Sequence, residues 1–96
     1  METLYINDSV STIKEHLEEI DKHIQDNLEG WSIYRLAKVD LAVLRIAIYE
    51  ILYREDIPVE VSINEAVETV KKYSTEDSFK FVNGVLGSFV RSIEKD

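Results

Sequence analysis

Asp77-Ser-Phe-Lys-Phe-Val-Asn-Gly-Val-Leu86 opens the last predicted helix and decides the fold. From Phe81 onward, Val82, Val85, Leu86, Phe89, Val90 and Ile93 recur at three- and four-residue steps, which on a helix form one apolar stripe that must be buried. Ser74 or Thr75 supplies the N-cap, because either hydroxyl can accept from an orphan backbone N–H, and Glu76 and Asp77 place negative charge at the positive end of the helix dipole. Gly84 and Gly87 each cost the helix about 1 kcal/mol relative to Ala. Their presence predicts that another group approaches closely at both. Asp77, Ser78, Lys80 and Asn83 form a polar edge beside Phe79 and Phe81, a combination suited to a nucleic-acid base or a partner loop.

Going back along the chain, Ser62-Ile-Asn-Glu65 is a capping box that predicts a helix from there to about Tyr73, with Ile63, Ala66, Val67 and Val70 inward. Arg54-Glu-Asp-Ile-Pro58 breaks the helix before it, since the residue preceding Pro is pushed toward extended geometry. Val39 to Tyr53 is the most apolar segment. One face carries Val39, Ala42, Val43, Ile46, Ala47, Glu50 and Ile51, another Leu41, Leu44, Ile48 and Leu52, the pattern of a central helix. Arg45 and Glu50 interrupt it, which predicts a salt bridge to another helix, while Asp40 sits where the helix dipole favours it. Trp31 to Leu36 reads as a short helical turn. The first helix is predicted from near Tyr5 to a stop before Gly30, on a stripe of Ile6, Val10, Ile13, Leu17, Ile20, Ile24 and Leu28, with a competing capping box from Thr12 to Glu15. The expected architecture is one all-α domain over residues 1–96: four main helices, a short helical turn and short connections.

Composition narrows the function classes. The 96 residues contain no Cys, so neither a disulfide framework nor a Cys-ligated zinc site is available. The apolar runs are broken well before the roughly 20 residues a membrane helix needs, and the expectation is a soluble, cytoplasmic protein with no membrane partner. A net charge of −8 repels phosphate backbones, which excludes a general electrostatic nucleic-acid binder. His16, Glu19 and His23 fall at helical spacing but lie off the apolar stripe, with no matching carboxylate–histidine pair on another helix. A charged outer face accounts for them. Glu65 is explained by its capping role, and Asn64, Glu65 and Asn83 are expected to tie helices together by hydrogen bonds. There is no Gly-rich phosphate loop, nucleophile elbow or Cys/His pair, so the expectation is no catalysis, no cofactor and no metal.

Together Lys38-Val-Asp-Leu-Ala-Val-Leu-Arg-Ile-Ala-Ile-Tyr-Glu50, Asp56-Ile-Pro-Val-Glu-Val-Ser-Ile-Asn-Glu-Ala-Val67 and the opening stretch resemble the C-terminal half of the NusB family of bacterial transcription antitermination factors. The resemblance covers most of the chain from Trp31 onward. It implies a NusB-like fold and a non-enzymatic module that binds boxA RNA cooperatively with NusE, a ribosomal protein, and acts on transcribing RNA polymerase. Carried onto this sequence, it points to Tyr73, Asp77, Lys80 and Phe81 as RNA-binding residues. Aromatic rings stack on unpaired bases and a carboxylate accepts from base amino groups. For Phe81, stacking and simple core packing both stand open.

Members of the family carry further helices before the one that opens this chain, the first of them arginine-rich. Within the first thirty residues here, Lys14 and Lys22 are the cations, so the resemblance implies a truncated domain that keeps half of a binding surface and loses its electrostatic half. Lost cover over apolar helices predicts a homodimer through Tyr5, Ile6, Val10, Ile13 and Leu17, with Tyr34 and Tyr49 as neighbours. Two alternatives are an accessory domain of an rRNA cytosine methyltransferase, which shares the fold, and a helical adaptor without an RNA role.

Overall fold

The chain folds, in a computed structural model that describes residues 16–73 and 75–94, into α-helices joined by short connections, with no strand among the described residues. We label them α1 (Leu17–Asp26), α2 (Lys38–Tyr53), α3 (Val59–Tyr73) and α4 (Glu76–Ile93), with a 3-10 turn at Ile33–Arg35 between α1 and α2. α2 packs against α3 and α4, α4 also against α3, and α1 lies across α2 and α4. α2 is therefore central, as its apolarity predicts.

The stripe on α4 is buried as its spacing requires. Val82, Leu86 and Phe89 are fully buried against Ile20 and Ile24 of α1, Leu44 and Ile48 of α2 and Val70 of α3, while Phe81, Val90 and Ile93 pack on the edge of this core. Thr75 caps α4, its Oγ1 accepting from the Ser78 N–H at 3.2 Å.

Other boundaries differ from expectation. α1 ends at Asp26, where Asn27 donates from its backbone N–H to the Ile24 carbonyl and from Nδ2 to the His23 carbonyl. Gly30, at φ +66°, turns the chain a few residues later rather than ending the helix directly. The predicted segment from Tyr5, including the Thr12–Glu15 box, lies outside the described residues. α3 starts at Val59, three residues before the capping box. The fixed φ of Pro58 suits a helix start, and its carbonyl accepts from the Val61 and Ser62 N–H groups, which leaves Ser62 inside the helix at 1% exposure. Ser62 is thus not a cap, and Asn64, Glu65 and Asn83 are exposed to solvent.

On α2 the buried positions are Asp40, Val43, Leu44, Ala47, Ile48 and Tyr49, whereas Val39, Ala42 and Ile46 are exposed. Part of the expected apolar face therefore has no cover among the described residues. Tyr49 belongs to the core, with 6% exposure, which removes it from any contact with a second copy. Arg45 makes the expected bridge to another helix: its Nε and Nη2 each donate to Asp21 at 2.8 Å, raising the Arg45 pKa above its ordinary value.

Candidate functional site

Asp77, Lys80 and Phe81 come together in a groove of about 740 Å³ walled by the start of α4, the start of α2 and the connection that follows α1. The α-helical period puts Asp77, Phe81, Gly84, Ser88 and Arg91 along one side, all of them lining the groove. Phe81 is half-buried, packed on the core with one flank and lining the groove with the other, so the two readings of it are not exclusive. Lys80 is exposed and lies 3.9 Å from Glu76, a surface pair worth little. Tyr73, the last residue of α3, is 71% exposed and does not line this groove. The structure brings three of the four expected residues together and leaves Tyr73 apart.

Sequence reasoning missed the residue at the base of this wall. Asp40, in the first turn of α2, is buried to 6% exposure and accepts from the Ser78 hydroxyl at 3.0 Å through Oδ2. Its Oδ1 is buried without a hydrogen-bond partner, in a side chain that lines the groove. A buried acceptor left unmade is costly, on the order of 1–3 kcal/mol, and this oxygen is sealed beneath the groove surface, so it marks a strained support of the wall. The N-terminal dipole of α2 offsets part of the cost of its charge. Neither Asp40 nor Ser78 forms a motif, and the only signal was two polar residues early in two helices.

The opposite wall is held by side chains that replace missing secondary structure. Gln25 donates from Nε2 to the Trp31 carbonyl at 2.7 Å and accepts from the Ile33 N–H at 2.9 Å, fixing the turn to α1. Trp31, 49% exposed, lines the groove with the Arg35 guanidinium 5.9 Å from its ring centroid. Ser88 of α4 donates to Asn27 Oδ1 at 2.7 Å and ties the walls together. At Gly84 the expected close approach is absent: a Cβ placed there would meet nothing within 4 Å. The glycine leaves bare helix backbone on the groove wall. A Cβ placed at Gly87 would lie 3.4 Å from Arg91 Nη1, ordinary contact with the tip of a flexible side chain, so the expected close approach is not made there either.

The groove is lined by four carboxylates, on Asp26, Glu29, Asp40 and Asp77, against three cations, on Arg35, Lys80 and Arg91. Such a lining offers hydrogen-bond acceptors and ring faces rather than a track for phosphates. The histidines weighed as ligands serve otherwise: His16 stacks on Tyr53 at 4.4 Å and His23 meets Phe89 edge-on at 5.2 Å. Among the described residues no group of three or more His, Asp or Glu is placed to hold a metal ion, and no helix is long and apolar enough to cross a membrane.

Fold and groove define a small all-α binding domain. The profile of the NusB family matches residues 1–91, and the chain belongs to that family. It is 51% identical over 89 residues to transcription antitermination protein NusB of Clostridium novyi (strain NT), covering 93% of this chain and 67% of that one. With the protein of the same name from Thermoanaerobacter sp. (strain X514) it shares 58% identity over 87 residues, 91% of this chain and 61% of that one. Among solved structures, T. maritima NusB superposes with a TM-score of 0.83 at 51% identity, over 86% of this chain and 58% of that one. A chain in a crystal structure of a plectonemic RNA supercoil gives 0.87 at 36% identity, over 96% and 67%. The chain thus spans 61% to 67% of the length of the two sequence relatives. Those relatives are named for transcription antitermination, a matter of binding, and not for a reaction.

Proposed function

We propose that this chain is the C-terminal helical part of a NusB-type transcription antitermination factor, a non-catalytic module whose α4 groove reads bases of boxA RNA and which acts with a NusE-type ribosomal protein on transcribing RNA polymerase. The observation that carries the reading is the convergence of Asp77, Lys80 and Phe81 in one groove whose wall is braced by the buried Asp40–Ser78 hydrogen bond. Carboxylate oxygens accept from base amino groups, and Phe81 and Trp31 offer ring faces for stacking, worth roughly 1–3 kcal/mol per base. The open wall at Gly84 lets a base or ribose lie flush on the helix. The relatives' names favour this reading over a methyltransferase accessory domain.

Electrostatics sets its strength. With a net charge of −8 and three cations in the groove, the chain alone binds RNA weakly near physiological salt. Three phosphate contacts on a single strand correspond to a slope of about −2 in log K against log salt. Titration of a fluorescent boxA RNA oligonucleotide at several salt concentrations tests this. Sub-micromolar, sequence-specific binding at physiological salt contradicts it. Self-association through the first helix belongs to the same proposal, with Leu17 half-buried and Tyr34 exposed on the described side. A sedimentation profile that stays monomeric at tens of micromolar, unchanged by Leu17→Asp, refutes that part.

A further inference from the structure

The groove wall opposite α4 holds a tryptophan on a backbone pinned at both sides. We infer that Trp31, Arg35 and Glu29 form a subsite that selects guanine in single-stranded RNA: the indole stacks on the base, the guanidinium meets its phosphate and the carboxylate reads its Watson–Crick edge. The inference rests on the α4 groove meeting RNA, and adds which base that groove prefers.

The turn that carries Trp31 is held in place by its own contacts. Gly30 bends the chain at φ +66°, a conformation that other residues rarely adopt. Gln25 then holds the Trp31 carbonyl at 2.7 Å and the Ile33 N–H at 2.9 Å, Ile33 is buried in the core, and the Ser32 hydroxyl accepts from the Tyr34 N–H at 3.2 Å. Between these anchors the Trp31 ring stays 49% exposed and lines the groove. A large ring on a backbone already ordered loses little further freedom when a ligand stacks on it. The Arg35 guanidinium lies over the ring, 5.9 Å from its centroid, and also lines the groove. It occupies one face of the indole and leaves the other for a base, with a permanent cation beside the position of the nucleotide's phosphate.

Donor pattern selects the base. Two carboxylates stand on this wall, and Asp26 lies 3.7 Å from Lys22, whereas Glu29 is exposed, lines the groove and precedes Trp31 by two residues. An ionised carboxylate only accepts, through two oxygens set side by side. Guanine is the common base with two adjacent donors on its Watson–Crick edge, N1–H and the N2 amino group, and so meets a carboxylate with two parallel hydrogen bonds. Adenine and cytosine set one amino donor beside a ring-nitrogen acceptor, and uracil flanks its N–H with two carbonyl oxygens. Each of these turns an acceptor toward the carboxylate. The charge of Glu29 thus lowers affinity for RNA in general while raising discrimination between bases.

The sequence holds a single tryptophan, so its fluorescence reports this subsite directly. The test titrates the 96-residue chain at low salt with four uridine-rich RNA oligonucleotides that carry guanine, adenine, cytosine or uracil at one central position, following Trp31 fluorescence and the anisotropy of a label on the RNA. Saturable quenching is expected, with the guanine oligonucleotide bound about fivefold or more tighter than the others. Glu29→Gln should level the four affinities, Trp31→Ala should weaken the guanine oligonucleotide most, and Trp31→Phe should restore part of the loss, each with unchanged far-UV circular dichroism. Asp77→Ala, on the α4 wall, should weaken all four together and keep their ratio. RNA binding that depends on Asp77 but leaves Trp31 fluorescence unchanged, shows no guanine preference, or keeps that preference in Glu29→Gln overturns the subsite and leaves the α4 reading standing. Absence of any RNA binding at low salt overturns both.

Discussion

Two grooves flank α2, and they are built by opposite means. The α4 groove is framed by hydrogen bonds between elements, Ser78 to Asp40, Ser88 to Asn27 and Gln25 to the connection after α1, and its surface is charged and aromatic. The α2–α3 groove has a floor of small side chains, apolar walls and an acidic rim. Fixed acceptors suit a ligand that carries donors in a set geometry, whereas an apolar trough selects on shape and bulk charge. Substitutions placed in one groove alone test whether the two are separate.

The largest effect is expected where they share a foundation. Phe89 is fully buried in the core beneath both, so Phe89→Ala should cost about 3–5 kcal/mol, a large share of the stability of a small domain. Urea denaturation followed by circular dichroism should show the loss. Next comes Asp40→Ala, which removes the buried acceptor and leaves the Ser78 hydroxyl without its carboxylate. Hydrogen bonds to charged groups are worth about 1.5–3 kcal/mol, so stability should fall by about that much, and boxA RNA affinity at low salt should fall with it as the groove wall loosens. Lost stability with unchanged RNA affinity would remove Asp40 from the support of the interface.

Gly84→Ala separates folding from binding. Because the Cβ enters open space, helix propensity should raise stability by up to about 1 kcal/mol, while RNA affinity falls if a ligand lies against that wall. A rise in stability with unchanged RNA affinity would remove Gly84 from the interface.

The smallest effect lies away from both grooves. Tyr53 donates to Glu19 at 2.6 Å, and this hydrogen bond to a carboxylate pushes the phenol up to about 12 from 10.0. A raised folded-state pKa means that its stabilisation is fully present below pH 10 and is lost as pH rises through about 12. Thermal unfolding of the wild-type chain should therefore lose a small increment in that window that Tyr53→Phe lacks, with neither groove involved.

What was legible in the sequence is what depends on period and local chemistry. The α4 stripe, a cap at Ser74 or Thr75 and the central character of α2 follow from residues within a few positions of one another. The start of α3 was misread because a Ser-x-x-Glu box and Pro58 compete to begin the helix, and the proline, already held at helical φ, comes first. Asp40 was read only as a charge near a helix start, since its partner Ser78 is 38 residues away and the contact exists only after α2 and α4 pack. The face of Val39 and Ile46 was legible as apolar. Whether such a face finds a neighbour is decided by helix packing, which the pattern alone does not carry.

The central claim is that the α4 groove, and not the outer face of α1, meets RNA. The most direct test is a low-salt NMR titration of the 96-residue chain with a boxA RNA oligonucleotide, run in parallel on Asp77→Ala, Tyr73→Ala and His16→Ala. The account predicts shifts concentrated at Asp77, Lys80, Phe81 and Gly84, the greatest weakening from Asp77→Ala, less from Tyr73→Ala, which lies outside the groove lining, and least from His16→Ala. Equal effects of the three variants, or shifts centred on α1, would contradict it.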